Sequence, residues 1–266
     1  MNFKGLFQRN DFYIETVKNL IPNDGSSVLI CGGGLLDKSV FEELEFKNVT
    51  ITNLDTRTSE EQYHPFIWDF QNAQELSYQD ESFDYVVIHA AIHHTAMPHK
   101  TLLELFRVSK KGVLAFESRD SLLMKFMERF DLTQTYEHAA VFHNDCKFGG
   151  INNTQIPNYI YRWTEREIEK TISTYSPCYD HKFIYRYGAA FPCTAALEVK
   201  GNLKTIFLKS VLPFYLIFIK IFKKQQNLFA FYISKPTLSS SLKPWLEISD
   251  DKEIVFNKEW AKEKYR

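Results

Sequence analysis

The chain has 266 residues, 44% hydrophobic and 15% aromatic, enough to bury one sizeable core, and a single domain over 1–266 is expected. Its 32 Lys and Arg nearly balance 33 Asp and Glu, so the chain lacks the overall positive field of a nucleic-acid-binding protein. Cys31, Cys146, Cys178 and Cys193 form no C-x-x-C pair, which argues against a disulfide framework and a zinc ribbon; with no basic stretch and apolar core at the N-terminus, a cytoplasmic location is expected.

In chain order, Tyr13, Val17 and Leu20 lie at helical spacing behind Asp11, a predicted N-cap, and the helix should end before Pro22. "SSVLIC" then reads as a buried strand, "DKSVFEELEF" as a helix burying Val40, Phe41 and Leu44, and "NVTITNLD" as a strand ending at Asp55. Further strands are predicted at "HPFIW", "DYVVIHA" and "GVLAFES", with a helix "HKTLLELFRVSK" between the last two. This alternation predicts an α/β, doubly wound, mostly parallel sheet.

The pattern loosens over 119–163, which is expected to form a substrate lid. Thr164 and Glu167 have the spacing of a capping box, and Ile168, Ile172 and Tyr175 are the predicted buried face behind it. "HKFIYRY" and "NLFAFYISK" read as two last strands, bracketing a helical insertion at 189–226.

Chemistry is concentrated first in "VLICGGGLLD". A strand, three glycines and a helix N-terminus offer bare backbone and free amides to a ligand. Asp55 stands twenty-one residues past Gly34, where a carboxylate can accept hydrogen bonds from two ribose hydroxyls. The dinucleotide version of this turn needs a glycine at its sixth position, which here is Asp37. A carboxylate there disfavours a diphosphate but tolerates a cation, and S-adenosylmethionine is a phosphate-free sulfonium.

Three later segments sharpen the choice. "WDF", "FDYV" with "IHH", and "RVSKKG" stand in order between Trp68 and Gly112. With the glycine turn they resemble the class I S-adenosylmethionine-dependent methyltransferases, most closely methyltransferase type 11, and "YRWTEREIEKTI" is similar to the helix after that group's fifth strand. The resemblance implies a Rossmann-like sheet of seven strands, S-adenosyl-L-methionine as cofactor, and methyl transfer to a small-molecule or lipid-linked acceptor. It places Gly32, Gly33, Gly34, Asp55, Asp69, Phe70 and His89 at the cofactor, with Asp69 on the adenine. The chain departs from the family at Ile30, commonly acidic, and at Leu36, commonly glycine. These departures motivate the alternative of a non-catalytic binding protein on the same fold.

For the chemistry, His93, His94 and Glu117 are the candidate catalytic residues. Either histidine can serve as a base or simply pack behind the loop. His138, His143, Asp145 and Cys146 fit no standard zinc spacing, so no metal is expected. Tyr159, Tyr161, Arg162 and Trp163 are candidates to line the lid, or to anchor it by packing. From Val199 to Leu246 there are eight lysines and no Asp or Glu. Within this stretch the longest apolar run, Val211 to Ile219, is nine residues, against about 20 for a membrane span. Two readings follow for 203–224: a helix lying on an anionic membrane surface, or a packed insertion.

Overall fold

The computed structural model describes residues 9–190, 203–236 and 242–266. Seven strands form one sheet: β1 (Val28–Cys31), β2 (Val49–Asn53), β3 (Ile67–Phe70), β4 (Phe83–His89), β5 (Ser109–Ser118), β6 (Lys182–Gly188) and β7 (Leu228–Ser234). Their order is β3-β2-β1-β4-β5-β7-β6. The first five run parallel, and β7 is antiparallel to both β5 and β6. Crossover helices place a core on each face. Leu29 and Cys31 of β1 face Leu102, Leu105, Ile168 and Ile172; Val28 and Ile30 face Tyr13, Val40 and Phe41. Both faces are covered, and β1 therefore reads as an unbroken apolar run rather than an alternation.

Helices α1 (Arg9–Leu20), α2 (Leu35–Glu43), the short α3 (Glu60–Tyr63) and α4 (Pro98–Val108) surround the parallel half. Several boundaries differ from expectation. Asp11 lies in the first turn of α1, where it complements the helix dipole, and is not its N-cap. Helix α2 starts at Leu35 with Gly34 as N-cap, and β2 ends at Asn53, two residues before Asp55.

The segment 119–163 carries α5 (Leu122–Arg129) and α6 (His138–His143). It leaves and rejoins the sheet at one point: Arg119 bridges to Trp163, Trp163 N donates to Ser118 O at 3.0 Å, and Asp120 N donates to Trp163 O at 2.9 Å. The buried Arg119 guanidinium pairs with Glu165 at 2.7 Å and so fixes this base to the next helix, α7 (Glu165–Tyr175). The Thr164–Glu167 capping box forms as expected. Tyr175, expected in the buried face, is exposed because it is the last residue of α7.

Helix α8 (Leu203–Ile221) precedes β7. The part of the predicted insertion at 191–202 lies outside the described residues. Among the described residues no helix is long and apolar enough to cross a membrane. A two-stranded hairpin, β8 (Leu246–Ile248) with β9 (Ile254–Phe256), and helix α9 (Lys258–Lys264) follow.

Candidate functional site

A cavity of about 310 Å³ opens at the carboxyl edge of β1, β2, β3 and β4, between the glycine turn and residues 149–153 of the 119–163 segment. The three glycines have different reasons to be there. Gly32 has φ +63°, and a Cβ on it would come within 2.6 Å of Ala91 Cβ. A Cβ on Gly33 would meet Ile51 Cγ2 at 2.7 Å and Ile30 Cγ2 at 2.8 Å. A Cβ on Gly34 would meet nothing within 4 Å among the described residues, so that glycine leaves open space on the cavity wall.

Asp37 is folded back onto the turn. One of its oxygens accepts from Gly34 N at 2.8 Å and the other from the Tyr13 hydroxyl at 2.7 Å. Burial raises its pKa against these hydrogen bonds. The Gly34 amide that a diphosphate would require is thus already engaged. Ile30 is fully buried and packs under Gly33, so this wall has an apolar support.

Asp55 lines the cavity. Its carboxylate accepts from Arg57 Nε at 2.8 Å and Nη2 at 2.7 Å, and these bonds hold its pKa below the usual carboxylate value. Arg57 also donates to Asn144 Oδ1 at 3.0 Å and lies 4.3 Å from the Phe148 ring centre. Asn153 Nδ2 donates to Leu54 O at 3.1 Å, and Gln74 Nε2 donates to Asn152 Oδ1 at 2.9 Å. The 144–153 stretch is therefore fastened over the mouth by side chains, and its Gly149, Gly150, Asn152 and Asn153 complete the wall.

Asp69 is not among the residues lining this cavity. Its carboxylate accepts from the Tyr78 hydroxyl at 2.6 Å and from Gln71 Nε2 at 2.9 Å, while Phe70 is exposed. Their place is taken by Gln71, Asn72 and Ala73. Asn72 follows the end of β3 by two residues, as Asp55 follows β2, and that shared offset is the sequence signal for it. His89, at the end of β4, lines a smaller neighbouring pocket instead, with Arg9, Phe12, Phe116 and Glu117. Its ring stacks on Tyr13 with centroids 4.1 Å apart, and burial pushes its pKa down to about 4.

His93 and His94 occupy a single turn after β4. His93 Nδ1 lies 2.5 Å from Glu117 Oε2, and its Nε2 lies 3.1 Å from Glu137 Oε2. His94 Nε2 is 3.3 Å from the same Glu137 oxygen. Ile92 N donates to Glu117 Oε1 at 2.8 Å, and Asn158 Nδ2 donates to His93 O at 3.0 Å. Burial works against charge on His93, but Glu117 and Glu137 together outweigh it and push its pKa up to about 10. Burial also opposes the charge on Glu137, which His93 holds down at about 2. His93 is thus clamped between two carboxylates that favour its protonated form. In His94 burial, aided by the charge on His93, lowers the pKa, and this ring does face the cavity. Glu117 orients His93, and sequence reasoning missed Glu137 because it lies in the irregular segment.

The other candidates serve as struts. Arg119 is paired with Glu165, the Tyr161 hydroxyl donates to Glu167 at 2.8 Å, Arg162 pairs with Glu128, and Trp163 is in the core. His138, His143, Asp145 and Cys146 form no metal-capable cluster among the described residues; the one that is present is His93, His94 and Glu137.

The sheet order, with its single reversed strand, and the cavity at the carboxyl edge define the class I, Rossmann-like methyltransferase fold. Residues 30–116, about a third of the chain, match the model of a methyltransferase domain family. Solved structures agree on the fold. A chain of the Haloferax volcanii complex between the Trm112 methyltransferase activator and its candidate methyltransferase is 12% identical, with a TM-score of 0.53 over 85% of this chain and 89% of that one. The YcgJ protein of Bacillus subtilis is 12% identical, with a TM-score of 0.52 over 86% and 100%. A SAM-dependent methyltransferase from Archaeoglobus fulgidus is 13% identical, with a TM-score of 0.50 over 85% and 94%. No curated protein gives a significant match. The cofactor of this class is S-adenosylmethionine.

Proposed function

We propose that the chain transfers a methyl group from S-adenosylmethionine to a small-molecule or lipid-linked acceptor, with the cofactor held in the glycine-turn cavity. The observation that carries this reading is the meeting of an open Gly34, an ionised Asp55 and Asn72 around one space. Asp55 would accept hydrogen bonds from the ribose hydroxyls. The Asn72 amide would serve the adenine, a role this proposal moves from Asp69. The engaged Gly34 amide and the nearby Asp37 suit a cationic cofactor without phosphate. When bound, the cofactor supplies an electrophilic methyl group.

The residues around it align and dry the site rather than drive a large proton transfer. Glu117 and Glu137 fix the turn that carries His94, and His94 presents a partly exposed imidazole to the cavity. This ring is the remaining candidate for a base. The smaller pocket, which shares Ala90 with the cofactor cavity, is the proposed acceptor side.

Support for a lipid-linked acceptor comes from the surface beside it. Helix α8 exposes Phe214, Ile217, Ile221 and, beyond its end, Phe222, near Lys220, Lys223 and Lys224. Helix α5 exposes Leu122, Phe126 and Phe130, and it meets the turn after α8 through Leu123 N donating to Gln225 Oε1 at 3.0 Å. Because β7 begins at Leu228 opposite Ser118, this surface adjoins the functional edge of the sheet. Exposed aromatic residues among lysines suit an anionic interface.

The buried Ile30 favours the alternative of a binding protein without turnover, since it removes a carboxylate from the glycine-turn wall. Incubation with methyl-labelled S-adenosylmethionine and a panel of lipid extracts and small polar acceptors separates the two. Transfer of label to an acceptor, increased by anionic vesicles, is expected. Cofactor binding with no labelled product from any acceptor would leave the binding-protein reading.

A further inference from the structure

We propose that His93, His94 and Glu137 form a binding site for one divalent transition-metal ion of the zinc type, set in the wall between the cofactor cavity and the acceptor pocket. The geometry is that of a ligand set. His93 Nε2 and His94 Nε2 lie 3.1 and 3.3 Å from one oxygen of Glu137, and all three donor atoms fall within 4.8 Å of one another. Bonds of about 2.0–2.1 Å to a tetrahedral ion would separate adjacent donors by roughly 3.4 Å. Small side-chain shifts bring the three onto one ion.

The surroundings are those that a metal-bound histidine needs. His93 offers Nε2 to the site because its Nδ1 is held at 2.5 Å by Glu117, which is itself anchored by the Ile92 amide. A carboxylate behind a ligating imidazole fixes the ring and raises its basicity. Asn158 is buried with its Nδ2 3.5 Å from the Glu137 oxygen of the site, and its Oδ1 has no hydrogen-bond partner among the described residues. Two neutral imidazoles with the carboxylates of Glu117 and Glu137 sum to two negative charges, which a divalent cation neutralises.

Two imidazoles and a carboxylate are the donors of zinc sites that keep a position open. His94 lines the cofactor cavity, His93 lines the smaller pocket, and Ala90 lines both. The open position would hold an oxygen, nitrogen or sulfur of the acceptor and favour its deprotonated form. That use of the site rests on the methyltransferase reading; the metal site itself does not.

The test titrates the full chain, stripped with a chelator, with Zn²⁺ by calorimetry and with Co²⁺ by visible absorption. One equivalent of each is expected to bind. Glu137→Gln and His94→Ala are each expected to weaken binding by at least tenfold. Cys146→Ser, which alters an exposed thiol elsewhere, is expected to leave it unchanged, and circular dichroism is expected to show all variants folded. Failure of the unmutated chain to bind either ion, or equal binding by Glu137→Gln and His94→Ala, would overturn the site. Metal uptake is read without methyl transfer, so failure here leaves the methyltransferase reading intact, and absence of methyl transfer leaves a measured metal site standing.

Discussion

The two walls of the glycine-turn cavity are built in different ways. The sheet-side wall, at the carboxyl edge of β1 to β4, is held by ladder hydrogen bonds between strands, and its glycine turn is pressed against Ala91, Ile30 and Ile51. The opposite wall, 144–153, has little regular structure and is held by side-chain links: Arg57 to Asn144, Asn153 to Leu54 O and Gln74 to Asn152. Several of its residues, among them Asp145, Cys146, Asn152 and Asn153, have positive φ. The sheet-side wall is preformed by the fold, whereas the other rests on a few polar contacts outside the core. The latter links also reach into the site, since Arg57 binds the carboxylate proposed to take the ribose.

The largest effect should come from the junction between the two regions. Arg119 and Glu165 are both largely buried, and removing one partner of such a pair costs about 3–5 kcal/mol. Arg119→Met should therefore lower the thermal midpoint more than any single change in 144–153. The same pair fixes an acid dependence. Although burial opposes it, hydrogen bonds from Arg119 and Tyr187 depress Glu165 to about 2 from an ordinary value of 4.5. The stability it contributes is present above pH 4.5 and is lost as pH falls toward 2. In Glu165→Gln, stability curves measured across that window should be flatter than in the unmutated chain.

Next in size is a split within the glycine turn. Gly33→Val should cost about 1–3 kcal/mol of stability through overlap with Ile30 and Ile51. Gly34→Val, pointing into open space, should leave the melting temperature almost unchanged while it narrows the cavity. Equal destabilisation by both would remove the distinction between packed and open glycines.

A smaller and local effect is expected from Arg57→Ala. Hydrogen exchange in 144–153 should accelerate while the amides of β1 and β4 keep their protection. Uniform acceleration in both regions would mean that the walls are not independent.

How much was legible in the sequence follows the same division. Apolar runs at Val28–Cys31 and Tyr85–Ile88, and the Thr164 capping box, report on burial and local hydrogen bonds, so they located strands and a helix directly. Asp69 lies within β3 and does not line the cavity, which is reached instead by the residue two positions past the strand end. Glu137 and the residues of 149–153 left no periodic trace. Their positions depend on partners 44 to 99 residues away, such as Glu137 with His93 and Asn153 with Leu54, and one sequence does not encode such pairs as a pattern. The pairing of His93 with Glu117 and Glu137 was hidden for the same reason, since both carboxylates are far away in the chain.

The central claim is that the cofactor lies in this cavity, against Asp55 and Asn72 and away from Asp69. Calorimetric titration with the demethylated cofactor, S-adenosylhomocysteine, tests it directly. Losing hydrogen bonds to a charged group is worth about 1.5–3 kcal/mol, so Asp55→Ala should weaken binding by roughly tenfold or more. Asn72→Ala should weaken it less, and Asp69→Asn should leave it unchanged. No binding by the unmutated chain, or a greater loss from Asp69→Asn than from Asp55→Ala, would contradict this account.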